Sequence, residues 1–163
     1  MRKTHKNARL LEILLVEDNP ADVRFLNEVL KEARLANRIT ALPDGDSALR
    51  YLRGQGECSG AVKPDLLLLD LNLPGKDGRK VLAEIRRDPL LSALPVIVLS
   101  TSSAPDDITL SYGLGATCYM VKPADPIQLI QAALRLENVE LGLVAPAARV
   151  LKKPRKGGRH GAA

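Results

Sequence analysis

Four apolar segments of the chain end in polar residues whose types could do chemistry together. They are Glu17 and Asp18 after residues 12–16, Asp70 after residues 66–69, Ser100 with Thr101 at the end of residues 95–100, and Lys122 with Pro123 after residues 118–121. Carboxylates held close together repel, and a divalent cation would relieve that repulsion; oxygen ligands favour Mg²⁺. A carboxylate can also attack phosphorus and become an acyl phosphate, whose oxygens need cationic and hydroxyl partners. The set therefore indicates phosphoryl transfer.

Asp70 lies within the segment LLLLDLNLPG, residues 66–75. The leucines before it show no polar alternation, which is typical of a strand buried on both faces, and Pro74 with Gly75 predicts a turn after it. A carboxylate at that point is costly unless it is solvated, paired or bound to a metal. A cap at the strand end is the structural alternative. The polar residues at the other strand ends favour the chemical interpretation, in which Asp70 is the phosphoacceptor.

The order of the elements predicts where these residues meet. Strand-like segments at residues 12–16, 38–42, 66–69, 95–100 and 118–121 alternate with helix-like segments that begin at Pro20 and then cover residues 48–52, 78–87, 105–114 and 126–137. A polar loop, residues 53–65, precedes the third strand. Five strand–helix repeats predict an α/β fold with a parallel sheet and helices on both faces. Ligands of such folds bind outside the carboxyl ends of the strands, where the polar residues above are expected.

Composition limits the classes of protein that fit. The 163 residues are 45% hydrophobic but only 2% aromatic, so we expect one domain with an aliphatic core. No apolar stretch reaches the length of a membrane span and the N-terminus has no signal-peptide cleavage site, so we expect a cytoplasmic protein. Both histidines, His5 and His160, lie near the ends of the chain, which argues against a histidine-based catalytic centre.

Charge is divided unevenly along the chain. Residues 11–137 hold 14 Lys/Arg against 18 Asp/Glu, whereas residues 1–10 and 138–163 together hold 10 against one. We therefore expect a mildly acidic domain between a basic N-terminal tail and a basic, largely disordered C-terminal tail. The C-terminal tail could bind nucleic acid, although it has no aromatic residue for base stacking.

Four motifs together resemble one family. They are VEDNP at residues 16–20, LLLLDLNLPGKDG at 66–78, VIVLS at 96–100 and YMVKP at 119–123. Over residues 11–137 the sequence is similar to the response-regulator receiver domain, the phosphorylated half of two-component signalling. The resemblance implies a flavodoxin-like, doubly wound sheet of five parallel strands in the order 2-1-3-4-5. It also implies a sensor histidine kinase as the partner that phosphorylates Asp70.

The resemblance further implies how the acidic residues bind Mg²⁺. Asp18, Asp70 and the backbone carbonyl of Asn72 would hold the cation, and Glu17 would act largely through water.

A second group of residues would sense the phosphoryl group by the same resemblance. Lys122 would pair with the phosphoryl oxygens and precede a cis bond to Pro123. Ser100 occupies the position of the switch hydroxyl, but the family more often has threonine there, so the adjacent Thr101 stays an alternative. Tyr119 occupies the position of the switch aromatic residue.

The long 53–65 loop and the residues VLSTS resemble the small regulators that are paired with phytochrome-type histidine kinases. No output domain is expected after Glu137, so we expect signalling through a changed protein–protein surface and no enzymatic activity beyond self-phosphorylation and self-dephosphorylation. A homodimer through residues 105–137 is the simplest case, and a downstream protein of unknown identity is the other. The candidate dimer contacts are Ile127, Leu134, Leu141 and Leu143.

Two other functions deserve comparison with this prediction. A haloacid-dehalogenase-like phosphatase also uses an aspartate after a strand, but that family resembles D-x-D, and Asn72 replaces its second aspartate. A phosphorylation-regulated nucleic-acid-binding protein would act through the basic C-terminal tail. A nucleotide-binding loop is not indicated, since neither GxGxxG nor GxxxxGK[ST] occurs.

Overall fold

A computed structural model describes residues 10–33 and 35–135 of the chain. The strands are β1 (Leu11–Val16), β2 (Asn37–Leu42), β3 (Leu66–Asp70), β4 (Val96–Ser100) and β5 (Cys118–Val121). The helices are α1 (Pro20–Glu32), α2 (Gly45–Leu52), α3 (Gly78–Arg87), α4 (Pro105–Gly113) and α5 (Pro126–Leu134). The five strand–helix repeats predicted from the sequence are confirmed. Helix α5 is assigned only as far as Leu134, and both predicted tails, with His5 and His160, fall almost wholly outside the described residues.

All strand pairs are parallel, and the order of the sheet is β2-β1-β3-β4-β5, which confirms the predicted topology. The register sets Asp70 beside Leu99 and Ser100 beside Val121, so β3, β4 and β5 end at the same edge. Since Glu17 directly follows β1, the chain brings its polar strand ends together at the carboxyl edge of the sheet.

Two aliphatic clusters, one on each face of the sheet, hold these strands in place. Leu67 and Leu69 of β3 belong to one cluster, while Leu66 and Leu68 belong to the other. All four side chains are buried, and burying each one stabilises the fold by about 1.5–3 kcal/mol. Packing from both sides therefore fixes the position of Asp70 at the end of β3.

Helix boundaries follow local capping chemistry. Asn19 caps α1 by accepting a hydrogen bond from the backbone N–H of Ala21 at 2.9 Å, and Pro20 takes the first helical position, as predicted. Helix α4 is different, because Ala104 at its N-cap makes no side-chain cap bond and Ser111 is its single buried residue. Helix α4 is thus held to the sheet less firmly than its neighbours.

Three details differ from the sequence predictions. The loop of residues 53–65 contains a short 3₁₀ helix, Gly56–Cys58. Val121, whose apolar segment assigns it to the core, is 40% exposed, because β5 is an edge strand and its neighbour Met120 takes the buried position. Leu134, predicted as an exposed dimer contact, instead packs partly buried against the core, and Leu141 and Leu143 lie outside the described residues.

Within residues 10–33 and 35–135, no helix has the length and apolarity required to cross a membrane.

Candidate functional site

Lys122 lies at the centre of the charged site. Its Nζ atom lies 2.5 Å from Glu17 Oε2, 2.9 Å from Asp70 Oδ2 and 3.1 Å from Asp22 Oδ2. The residue immediately follows β5, and the Lys122–Pro123 peptide bond is cis, as the family resemblance implies. One ammonium therefore joins carboxylates from two separate parts of the chain, residues 17–22 and Asp70.

The two buried carboxylates are held at both oxygens. Glu17 accepts a hydrogen bond from the backbone N–H of Asn19 at 3.0 Å through Oε1, and Asp70 accepts one from Asn72 N–H at 2.9 Å through Oδ1. Their remaining oxygens face Lys122. Backbone donors and the ammonium together offset the cost of burying the two charges.

Glu17, Asp70 and the exposed Asp18 form a possible cation site. Each offers a carboxylate oxygen, and these oxygens all lie within 4.8 Å of one another. Hard oxygen donors in this number suit a divalent cation such as Mg²⁺, with the rest of its coordination completed by water or backbone oxygen. Asn72, predicted to contribute its carbonyl, lies exposed two residues beyond Asp70. The donors present therefore fit the predicted metal.

Burial changes the acid–base behaviour of this cluster. It raises the pKa of Glu17 from 4.5 to about 7, an effect that Lys122 and the Asn19 N–H reduce and the nearby Asp70 reinforces. Burial by itself would lower the pKa of Lys122, but its hydrogen bonds to Glu17, Asp70 and Asp22 outweigh burial and raise that pKa. Lys122 thus remains cationic at neutral pH, while Glu17 holds a proton part of the time.

The hydroxyl side of the site lies at the end of β4. Ser100 is buried, and its Oγ accepts a hydrogen bond from the backbone N–H of Ser102 at 3.2 Å. Thr101, the alternative left open by the sequence, is exposed. Of these two residues, Ser100 therefore supplies the buried hydroxyl at this sheet edge.

Tyr119 is connected to the loop that follows β4. Its hydroxyl donates a hydrogen bond to the carbonyl of Ser102 at 2.7 Å, and its ring packs partly buried against the core. The Ser102 hydroxyl donates to Asp107 Oδ2 of α4 at 2.5 Å, and Asp107 also lies 3.5 Å from the guanidinium of Arg79 on α3. A chain of polar contacts thus joins α3, α4 and β5 beside Ser100.

Sequence reasoning missed Asp22, Ser102 and Asp107. Asp22 lies in the first turn of α1, where an acidic residue is already explained by the helix dipole. The weak signal that could have indicated it is the clustering of Glu17, Asp18 and Asp22 within six residues of the chain.

The doubly wound parallel sheet, with buried carboxylates and one lysine at its carboxyl edge, defines a signalling domain of the two-component type. A family model described as the response regulator receiver domain matches residues 13–134. The chain belongs to that family.

Known relatives are similar over nearly the whole domain. Response regulator Rcp1 of Synechocystis is 45% identical over 137 residues, covering 83% of this chain and 93% of Rcp1. The phosphorylated cyanobacterial phytochrome response regulator RcpA is 50% identical with a TM-score of 0.68, covering 76% of this chain and 88% of that structure. The Mn²⁺-bound form of Rcp1 is 44% identical with a TM-score of 0.69, covering 80% of this chain and 98% of that structure.

The chain is therefore a receiver-domain response regulator of a two-component system, similar to phytochrome response regulators. A histidine kinase is the partner of such a domain. The family assignment favours neither the phosphatase nor the nucleic-acid-binding alternative.

Proposed function

We propose that Asp70 accepts a phosphoryl group from a phosphohistidine of the partner kinase. An Asp70 oxygen attacks phosphorus, the P–N bond to the imidazole breaks, and the imidazole keeps the electron pair. The observation that carries this proposal is the burial of Asp70 at the end of β3 with the Lys122 ammonium 2.9 Å from Oδ2. The ammonium that neutralises the buried carboxylate is already in place to neutralise the negative charge of a phosphoryl group on Asp70.

Asp18, Asp70 and the Asn72 carbonyl would hold Mg²⁺, and Glu17 would act largely through water. The cation would supply charge neutralisation on the phosphoryl oxygens. The existence of a Mn²⁺-bound form of the relative Rcp1 supports a divalent cation for this chain. Asp18 is the exposed one of the three carboxylates, which leaves it accessible to an entering hydrated ion.

Lys122 and Ser100 would bind the phosphoryl oxygens from the other side. The ammonium is cationic and 14% exposed at its side chain, so it is shielded from competing water. The Ser100 hydroxyl would turn from its contact with the Ser102 N–H and donate to a phosphoryl oxygen. That movement would alter the loop whose carbonyl holds the Tyr119 hydroxyl.

Labelling with a small donor tests the phosphoacceptor directly. Incubation with acetyl phosphate and Mg²⁺ should add one base-labile phosphoryl group, and Asp70→Asn should prevent it, as measured by intact-protein mass spectrometry. Asp46→Asn is the matched control, because Asp46 is exposed and pairs with Lys76 instead. Equal labelling of Asp70→Asn and wild type would contradict the assignment.

We infer that the cognate kinase is of the phytochrome type. The similarity to RcpA supports this inference, and so does the long segment between α2 and β3. Phosphotransfer profiling against a panel of purified kinases tests it. A phytochrome-type kinase should transfer fastest, and preference for an unrelated kinase would contradict the inference.

The signal would leave through a surface formed by α4, β5 and α5. Leu110, Tyr112, Val121 and Ile127 are exposed apolar side chains of these elements. We propose a homodimer through this surface whose affinity changes on phosphorylation, by about 1–3 kcal/mol. Light scattering with and without beryllofluoride, a phosphoryl mimic, tests it; a monomer in both states would rule out the dimer and favour a foreign partner.

A further inference from the structure

The Lys122 ammonium has no spare hydrogen-bond donor in this structure. A lysine ammonium carries three N–H donors, and Lys122 Nζ makes one bond each to Glu17, Asp70 and Asp22. When Asp70 becomes an acyl phosphate, its own bond to the ammonium can pass to a phosphoryl oxygen, but the ammonium can give the phosphoryl group a second bond only if Glu17 or Asp22 releases it.

Glu17 and Asp22 differ in how easily they can release the ammonium. The side chain of Glu17 is 0% exposed, so water cannot take the place of Lys122 there. Asp22 is 40% exposed and makes the longest of the three contacts, at 3.1 Å. Water can solvate the Asp22 carboxylate at once after release, which makes its bond the cheapest to break.

We propose that Asp22 is the exchangeable partner of Lys122. Asp22 holds the ammonium in the unphosphorylated protein and gives up its hydrogen bond to a second phosphoryl oxygen when Asp70 is modified. This role rests on the proposed function of Asp70. Asp22 is a positioning residue, because it acts on the phosphoryl group through Lys122. Its negative charge competes with the phosphoryl group for the ammonium and so restrains phosphorylation.

A purely structural role for Asp22 predicts something different. An acidic residue in the first turn of a helix interacts favourably with the helix dipole. If that were all, replacing Asp22 would lower thermal stability and leave the phosphorylation rate unchanged. The exchange role predicts a faster reaction even though the protein becomes less stable.

The rate of phosphorylation by acetyl phosphate, with Mg²⁺ present, distinguishes the two roles. Asp22→Ala should raise the second-order rate constant by about two- to fivefold, the range for a partly exposed ion pair. It should raise the affinity for beryllofluoride by a similar factor. Asp22→Asn, which keeps an acceptor oxygen but loses the charge, should have a smaller effect. Because Asp22 is partly exposed, both variants should fold, which a melting curve checks.

Glu28→Ala is the matched control, because Glu28 is an exposed carboxylate on the same helix, about 9 Å further along its axis. Its rate should equal that of wild type. An unchanged or slower rate in Asp22→Ala would overturn the inference, and so would an equal increase in Glu28→Ala.

Two readouts separate this inference from the proposed function. If wild type were not labelled at all, the proposed function of Asp70 would fail and the exchange role with it. If wild type were labelled and Asp22→Ala reacted at the same rate, only the exchange role would fail.

Nuclear magnetic resonance of the Lys122 ammonium adds a test that needs no phosphorylation. Its protons should exchange with water faster in Asp22→Ala, and unchanged exchange would overturn the contact itself.

Discussion

Without metal, the protein should become less stable as the pH rises through neutrality, because of Glu17. Burial raises the pKa of this carboxyl from 4.5 to about 7, so the folded state binds the proton more tightly than the unfolded chain does. Its stabilising contribution is fully present below pH 4.5 and is lost as the pH rises through about 7. Stability therefore falls with rising pH, opposite to the behaviour of an ordinary salt-bridged carboxylate.

The size of the effect follows from the same values. One pKa unit corresponds to about 1.4 kcal/mol, so the whole contribution of Glu17 is about 3 kcal/mol. Roughly 2 kcal/mol of it falls between about pH 5.5 and about pH 8, since most of the protonation change lies there. Glu17 is almost fully buried, so solvent screening reduces this figure little.

Urea unfolding in the presence of a chelator measures the prediction. The free energy of unfolding should be higher at about pH 5.5 than at about pH 8, and Glu17→Gln should remove most of that difference. Glu57→Gln is the control, because Glu57 is exposed in the 3₁₀ helix and should leave the difference intact. All other titratable groups are common to wild type and Glu17→Gln, so the difference between these two proteins reports Glu17. A Glu17→Gln variant with the wild-type pH dependence would refute the reasoning.

Two further substitutions test the packing around the site. Lys122→Ala should lower the free energy of unfolding by about 3–5 kcal/mol near pH 8, because it leaves buried Glu17 and Asp70 without their cation. Urea unfolding measures the loss, and a loss under about 1 kcal/mol would show that the two carboxylates are solvated. Gly78→Ala should cost about 1–3 kcal/mol, since its Cβ would lie 2.4 Å from the Asp70 carbonyl oxygen. Gly113→Ala, whose Cβ meets nothing within 4 Å, is the control and should be neutral or stabilising.

The strand ends could be predicted because the sequence marks each strand of the sheet with an apolar run. Continuous apolar runs specify buried parallel strands, and parallel strands place their carboxyl ends at one edge. That logic was enough to bring Glu17, Asp70, Ser100 and Lys122 together from sequence positions as far apart as 17 and 122. The sequence could not show which of two adjacent hydroxyls is buried; Ser100 is buried at the end of β4, whereas Thr101 is exposed.

Other features could not be predicted because they depend on tertiary geometry. The contact between Asp22 and Lys122 joins residues 100 positions apart in the chain and depends on how α1 lies against the end of β5. Met120 rather than Val121 is buried because of how β5 faces the neighbouring elements, and the apolar run itself does not reveal that. The 3₁₀ helix Gly56–Cys58 is too short to leave a periodic pattern.

The uneven packing around Asp70 indicates which part of the domain can respond to phosphorylation. Every residue of β3 and β4 is buried, and core clusters press on β3 from both faces, so the acceptor itself cannot shift without opening the core. The elements beyond β4 differ, since α4 buries one residue and the loop before it is held by polar contacts of Ser102 with Tyr119 and Asp107. Polar contacts of partly exposed residues are weak and can exchange partners with water. A new charge on Asp70 should therefore act on the α4–β5 side of the sheet, while β1 and β3 stay in place.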